Sequence, residues 1–413
     1  MAIVLAVCTL TLMAGFLLKG QCLNGRFGEE AYRSLCYNDI QPLYGVRLFR
    51  DVDGVPEKTF PYVHGSLVDG QLHDGAIEYP VLTGLFMYAT ALPVDDGDAY
   101  LRLSALLLAP FALLTAALLF RLSGYRALLW AAAPALAFYA FHNWDLLVVA
   151  SAVGGLWLWS RGQPLWAAVT FGIGAAFKMY PIFFLAPLAL DGARRAGMRA
   201  AVTPLLAGLG TFAAINLPFA VANFEGWWAT YSFHSQRGPN FDSIWFFGFP
   251  DWTPSRLNLV TALLTGSFFL GILAYGWIRS RGERSYPVVQ TSAALLATFL
   301  LWNKVHSPQY TLWLLPFFAL LAVNLGWWAA YAIVDAAVYV GVFRWFYDFG
   351  QGRDMGPAKR LLIAGVWARA ALLLVLVAVF LGSRRAASPE EQEEVVTASS
   401  YGGSGPSTST APS

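Results

Sequence analysis

The chain has 413 residues, of which 57% are hydrophobic and only 13% charged, with a formal net charge of +2. Soluble domains carry roughly 25% charged residues, so this composition excludes a water-soluble enzyme with an ordinary aqueous surface. No basic tract points to nucleic acid. Apolar runs near twenty residues recur and read as transmembrane helices, so the fold class is an all-α polytopic membrane protein.

Residues 1–18 form the first apolar run. The run has the length of a signal peptide but lacks a basic start and a clear small-x-small cleavage site, so it reads as a retained helix. A polar loop, residues 19–75, follows and contains Cys36-Tyr37-Asn38-Asp39-Ile40. An ionised Asp39 there could accept a proton from a sugar hydroxyl, and a positioned base is worth roughly 10²–10⁴-fold in rate. The bland alternative is a solvated carboxylate that caps a short helix through Ile40-Gln41-Pro42-Leu43-Tyr44. Cys22 and Cys36 share the loop; they can pair if it lies outside the cytoplasm, or remain two free thiols. Cys8 reads as a small core residue.

Further apolar runs cover 76–93, 101–121, 127–142, 145–160, 164–177, 180–190, 200–222, 256–278, 287–303, 308–324, 326–345 and 360–382. Five basic clusters lie between them: Arg121 with Arg126; Arg161; Arg194 with Arg195 and Arg199; Arg279 with Arg281 and Arg284; and Arg384 with Arg385. The positive-inside rule assigns all five to the cytoplasm. Residues 76–93, bounded by Glu78-Tyr79-Pro80 and Pro93, then enter and return, because only that choice makes all five clusters internal. Residues 180–190 are also short for a crossing at 1.5 Å per residue.

The same count puts a second set of connections outside. These are residues 19–75, His142-Asn143-Trp144-Asp145, Lys178-Met179-Tyr180-Pro181, residues 223–255, residues 303–308 and residues 346–358. Nearly every unusual polar residue falls in this set, which points to one functional face. Glu78 begins an apolar run, where an acid suits either a helix N-terminus or a substrate. Asp145 sits at membrane depth, where ionisable groups are functional candidates. Lysine is scarce, five against 22 arginines, yet Lys178 and Lys304 lie at the outer ends of apolar runs, the latter beside His306. Such cations could stabilise a lipid phosphate as a leaving group or simply snorkel to headgroups.

The 223–255 loop is rich in aromatics that suit an interfacial helix, but anchoring does not explain its Arg237. Asp335 and Arg344 read as partners of other buried groups. From Ala386 onward the chain turns to Glu, Ser, Thr, Gly and Pro and reads as a disordered cytoplasmic tail, leaving residues 1–385 as one membrane domain. No Walker loop, dinucleotide glycine pattern, HExxH or zinc-spaced cluster occurs. Nucleotide use is thus unsupported, and a membrane enzyme could take its activated group from a lipid.

The ordered set Tyr37-Asn38-Asp39, Glu78-Tyr79-Pro80, Asn143-Trp144-Asp145, Lys178-Met179-Tyr180-Pro181 and His306-Ser307-Pro308-Gln309-Tyr310 resembles the GT-C glycosyltransferases. Within them it is most similar to glycosyltransferase family 87, the actinobacterial polyprenol-phosphate-mannose-dependent α-mannosyltransferases. The resemblance covers roughly residues 1–382. It implies a bundle of about 10–13 transmembrane or re-entrant helices with a large first extracytoplasmic loop. It also implies a polyprenyl-phosphate hexose donor, mannose first, and a glycolipid or cell-wall glycan acceptor. Transfer would proceed by inverting displacement on the extracytoplasmic side of the cell membrane.

Asp39 matches the essential acid of the family's first loop and is the expected general base. Lys178, Lys304, His306 and Arg237 are expected at the donor phosphate. Tyr37, Asn38, Glu78, Tyr79, Asn143, Asp145, Tyr180, Gln309 and Tyr310 are expected at the substrates. The loop motif carries one acid, not the paired Asp-x-Asp of some relatives, so neither a metal nor another cofactor is expected. An arabinose or glucose donor is an alternative. A competing reading is a lipid-linked sugar transporter with Asp145, Asp335, Lys178 and Arg344 along its path, although no inverted repeat is evident. The blandest reading is a membrane scaffold that binds partners through its tail.

Overall fold

A computed structural model describes residues 1–283 and 285–389. Arg284 of the fourth basic cluster and residues 390–413 of the expected tail lie outside the described residues. Among those described, six helices are long and apolar enough to cross a bilayer: Ala2–Gly20, Gly97–Ala131, Met198–Ala222, Pro254–Arg279, Leu325–Gly350 and Gly356–Gly382. The shortest, at 19 residues, spans about 28 Å, close to the roughly 30 Å of hydrocarbon it must cross. Four shorter apolar helices, Val81–Ala91, Asp145–Ser160, Pro164–Phe177 and Val288–Trp302, pack with them, as does Thr311–Leu320, buried throughout. The chain is an all-α, multi-pass membrane protein.

The Asp145–Ser160 helix is buried on nearly every side, as a helix that is apolar all round requires. Pro164–Phe177 packs beside it and against Met198–Ala222, where a side chain at Gly172 would run into the Gly208 carbonyl. Apolar run 127–142 is not one helix. It breaks into Leu128–Ala131 and Pro134–Tyr139, because Pro134 fits a first helical turn but not an interior. Run 180–190 opens as a 3₁₀ turn, Tyr180–Phe184, and continues as Leu185–Ala196.

Val81–Ala91 has 11 residues, about 16 Å of helix, and both of its ends lie against the large loop. The Tyr62 hydroxyl donates to the Tyr79 and Pro80 carbonyls before its start, at 2.9 and 3.0 Å. The Tyr44 hydroxyl and the Lys58 ammonium donate to the Val94 carbonyl after its end, at 2.7 and 2.6 Å. The segment is therefore tied to the same loop before its start and after its end.

Residues 19–75 hold more order than a loop implies. Asp53-Gly54 and Asp69-Gly70 all take positive φ and close two hairpins, Phe49–Val52 with Val55–Lys58 and Ser66–Val68 with Gln71–His73. Asp-Gly is a favoured pair for such two-residue turns. Cys22 and Cys36 are joined in a disulfide, so the paired reading holds.

The basic clusters gather at the other end. The Gly97–Ser123 helix carries Asp98 at the loop end, bonded to the Asn24 backbone, and Arg121 about 35 Å further along. Arg121, Arg161 and Arg385 line one cleft with Met1. Arg126 donates to the Leu321 carbonyl at 2.8 Å, and Leu321 pairs with Arg385. Arg194 bonds the Trp277 carbonyl and Arg279 the Leu381 carbonyl. Ala386 still donates to the Leu320 carbonyl at 2.8 Å, so the chain stays tied to the bundle past residue 385.

Removing the bridge by Cys36→Ser is expected to destabilise the loop by about 3 kcal/mol, the value for a closed loop of this size. A lower melting midpoint in detergent reads this out. A midpoint equal to the parent's would show that the bridge contributes nothing.

Candidate active site

The site begins with the way Ile40–Arg47 starts. The Asn38 Oδ1 accepts from the Gln41 N–H at 2.9 Å, so Asn38 supplies the capping oxygen. Asp39 makes no side-chain capping bond, which overturns the reading of Asp39 as a cap. Its backbone N–H donates to the His142 carbonyl at 2.8 Å, tying it to the 142–145 connection. Its Oδ2 accepts from the Asn143 Nδ2 at 2.8 Å, and the Tyr37 side chain also bonds it. Burial pushes the Asp39 carboxyl up, while the Asn143 bond and the Lys178 charge act against that.

Asn143 joins the parts. Its Nδ2 also donates to the Tyr79 hydroxyl at 2.7 Å. Its Oδ1 accepts from the Trp144 N–H at 2.6 Å and from the Lys178 Nζ at 3.3 Å. Lys178 in turn meets both oxygens of Asp145, at 2.8 and 2.9 Å. The Trp313 indole N–H donates to the same carboxylate at 2.6 Å. Asp145 is fully buried, so its charge is balanced by Lys178. The rings of Tyr79, Tyr310 and Trp313 surround the Lys178 ammonium at 5.3, 5.4 and 5.6 Å, within cation–π range.

Glu78 is held by Arg47 at 2.7 Å, and its backbone carbonyl pairs with His234 Nε2 at 2.8 Å. Burial, the largest influence, pulls His234 down to about 4, so its ring is neutral at physiological pH and donates to that carbonyl.

Two cavities meet at this chain of bonds. The first, about 400 Å³, is lined by Tyr37, Asp39, Glu78, Tyr79, Lys178, Arg237, Gln309 and Tyr310, with His142. The second, about 310 Å³, adds Met179, Tyr180, Phe299, Lys304 and Trp313. Glu78, Tyr79, Lys178, His234 and Tyr310 line both.

Most of the residues singled out by the sequence therefore converge. Asn143 and Asp145 stand behind the wall and hold Asp39 and Lys178. Asn38 is buried as a cap. His306 does not join them: its Nδ1 pairs with the Leu300 carbonyl at 2.9 Å, and its ring borders a separate small cavity with Asp242 and Arg369. Burial pushes Asp242 up to about 7. Asp335 pairs with Arg369 at 4.0 Å, as a buried acid should, but Arg344 is exposed.

Neither Arg237 nor Lys304 is in an ion pair among the described residues. The Lys304 ammonium rests on the Ser235 and Arg237 carbonyls at 3.1 and 2.8 Å. Tyr32, Phe343 and Phe346 also line the first cavity; they come from the loop and a distant helix, and no local pattern marks them. No group of three or more His, Cys, Asp or Glu side chains suited to a metal ion occurs among the described residues.

A multi-pass bundle with a carboxylate-walled cavity fits a GT-C type membrane glycosyltransferase. Glycosyltransferase family 87 matches residues 78–303, more than half of the chain. The chain belongs to that family and is a membrane glycosyltransferase. No curated protein matches it.

Asp145→Asn leaves a buried Lys178 without its carboxylate, a loss of roughly 3–5 kcal/mol. The melting midpoint in detergent should fall, and adding Lys178→Met should recover part of the loss. A single variant as stable as the parent would show that this pair does not hold the wall together.

Proposed function

We propose that the protein transfers a hexose, mannose first, from a polyprenyl-phosphate donor to a hydroxyl of a glycolipid or cell-wall glycan on the extracytoplasmic side of the cell membrane. The carrying observation is the carboxylate of Asp39 on the cavity wall, fixed by Asn143 and joined through it to Lys178. The family match supports glycosyl transfer. The motif resemblance to polyprenol-phosphate-mannose enzymes favours mannose. The basic clusters at the other end favour an extracytoplasmic site by the positive-inside rule, with residues 1–385 as the catalytic domain and the tail in the cytoplasm.

In this reaction the acceptor O–H gives its proton to Asp39 as its oxygen bonds the anomeric carbon. On the opposite face, the bond from that carbon to the phosphate oxygen breaks, and its electron pair leaves with polyprenyl phosphate. Configuration inverts. The donor diester carries one negative charge and the released monoester two, so a nearby cation stabilises the transition state more than the ground state. Arg237 and Lys304, without carboxylate partners, suit that task. Lys178, already balanced by Asp145, orients the wall. Glu78 and Gln309 offer hydrogen bonds to sugar hydroxyls, and Tyr37, Tyr79, Tyr180 and Tyr310 offer ring faces.

Asp39→Asn should lower transfer at least about 10²-fold in membranes supplied with radiolabelled polyprenyl-phosphate mannose. Full activity would end the assignment of the base. Lipid analysis of a deletion strain identifies the acceptor and sugar, because the missing glycolipid carries both. Burial first, and the Arg237 charge second, pull Lys304 down to about 8. A cation is therefore present below that pH and lost above it. Donor KM should rise as pH passes about 8, and Lys304→Arg should remove the rise. A donor KM independent of pH between 7 and 9 would take Lys304 out of the phosphate site.

A further inference from the structure

Lys19 closes the first helix and is fully buried, yet among the described residues no carboxylate lies within ion-pair distance of it. A buried ammonium without a contacting acid is costly, so its partners need an account. Its Nζ reaches the Tyr37 carbonyl at 2.7 Å, the Tyr339 hydroxyl at 3.2 Å and the His142 Nδ1 at 3.4 Å. The Tyr339 hydroxyl spends its own proton on the Leu35 carbonyl, so towards Lys19 it accepts. An ammonium has three N–H donors and no lone pair. Two N–H groups meet oxygen acceptors; the third lies 3.4 Å from His142 Nδ1 and finds an acceptor there when that nitrogen is unprotonated. A neutral imidazole with a bare Nδ1 carries its proton on Nε2. That nitrogen faces Asp39, 4.0 Å from Oδ2, the oxygen that also accepts from Asn143.

We infer that Lys19 and His142 are positioning residues for Asp39: Lys19 fixes the imidazole tautomer that turns an N–H toward the carboxylate, and that N–H keeps Asp39 ionised to receive the acceptor's proton. The inference rests on the reading of Asp39 as base. Other groups act on the same carboxylate. Lys178 and the Tyr37 hydroxyl favour its ionised form, and Glu78 opposes it. Around His142 the Tyr37 carbonyl favours its protonated form, and the titratable groups besides Lys19 and Asp39 are Tyr37, Lys178, Tyr139 and Tyr339. An N–H turned toward a carboxylate favours its ionised form, against the burial that pushes Asp39 up. Loss of that N–H should therefore make the carboxylate harder to ionise.

The test is a pH–rate profile of transfer from radiolabelled polyprenyl-phosphate mannose in isolated membranes, for the full-length protein and variants matched for amount. Lys19→Met and His142→Phe should move the acidic limb of kcat/KM up by about one pH unit, about tenfold in rate below the limb, with donor KM unchanged. His142→Gln, whose amide N–H can replace that of Nε2, should move the limb back toward the parent. If Lys19→Met does not accumulate, the Phe and Gln variants at His142 carry the comparison alone. Profiles for His142→Phe and His142→Gln that superimpose on the parent would overturn the inference. Asp39→Asn in the same assay separates the two failures. Retained transfer there removes the base itself, whereas lost transfer with unmoved profiles removes only the positioning role.

Discussion

The site depends on one amide. Asn143 gives both of its N–H bonds to Asp39 and Tyr79 and takes one from Lys178. It thereby links the first loop, the 76–93 segment and the start of the central helices. Its orientation follows from its neighbours. The Trp144 N–H and the Lys178 ammonium need an oxygen, and Asp39 needs a donor, so only one amide orientation satisfies all of them. Behind it, Lys178 and Asp145 hold each other at 2.8 Å with little exposure to water. Breaking such a pair on one side is expensive, so the wall behaves as a rigid unit. The cavities can then present substrates to a carboxylate that is held in place.

Much of this was legible because polar residues at the ends of apolar runs are few and have few places to go. Glu78, Asn143, Asp145 and Lys178 all lie at such ends, and the charge map assigned them one face. The Asp39 cap was misread by one position. Asn and Asp are about equally good caps, and only the bond from Gln41 to Asn38 decides between them. The hairpins had their signal in Asp53-Gly54 and Asp69-Gly70, but strands such as Phe49-Arg50-Asp51-Val52 lack the alternation that would mark them. His306 was grouped with Lys304 by sequence nearness. Its aim is set by how the chain leaves Val288–Trp302 and turns before Pro308, which no local pattern encodes. Lys19 drew no reading of its own from the sequence, because its acceptors come from the loop, the 142–145 connection and the Leu325–Gly350 helix.

The charges inside the bundle also bear on the transporter reading. Asp145 and Lys178 pair with each other, Asp335 lies beside Arg369, and Arg344 is exposed. These four candidates therefore form no file of ionisable groups along the bundle. The arginine cleft lies at the other end, and the cavities that carry both acids and cations lie at the loop end, where a reaction at the bilayer surface would use them. A fixed wall with cavities on either side suits group transfer between two bound molecules better than passage of one.

The most direct test of this account is the rate of Asn143→Ala. The alanine leaves Asp39, Lys178 and Arg237 in the chain but removes the bond that orients the carboxylate. The account predicts a fall in kcat of about 10²-fold, with donor KM nearly unchanged. A kcat equal to the parent's would mean that Asp39 needs no positioning by Asn143, and the central claim would be wrong.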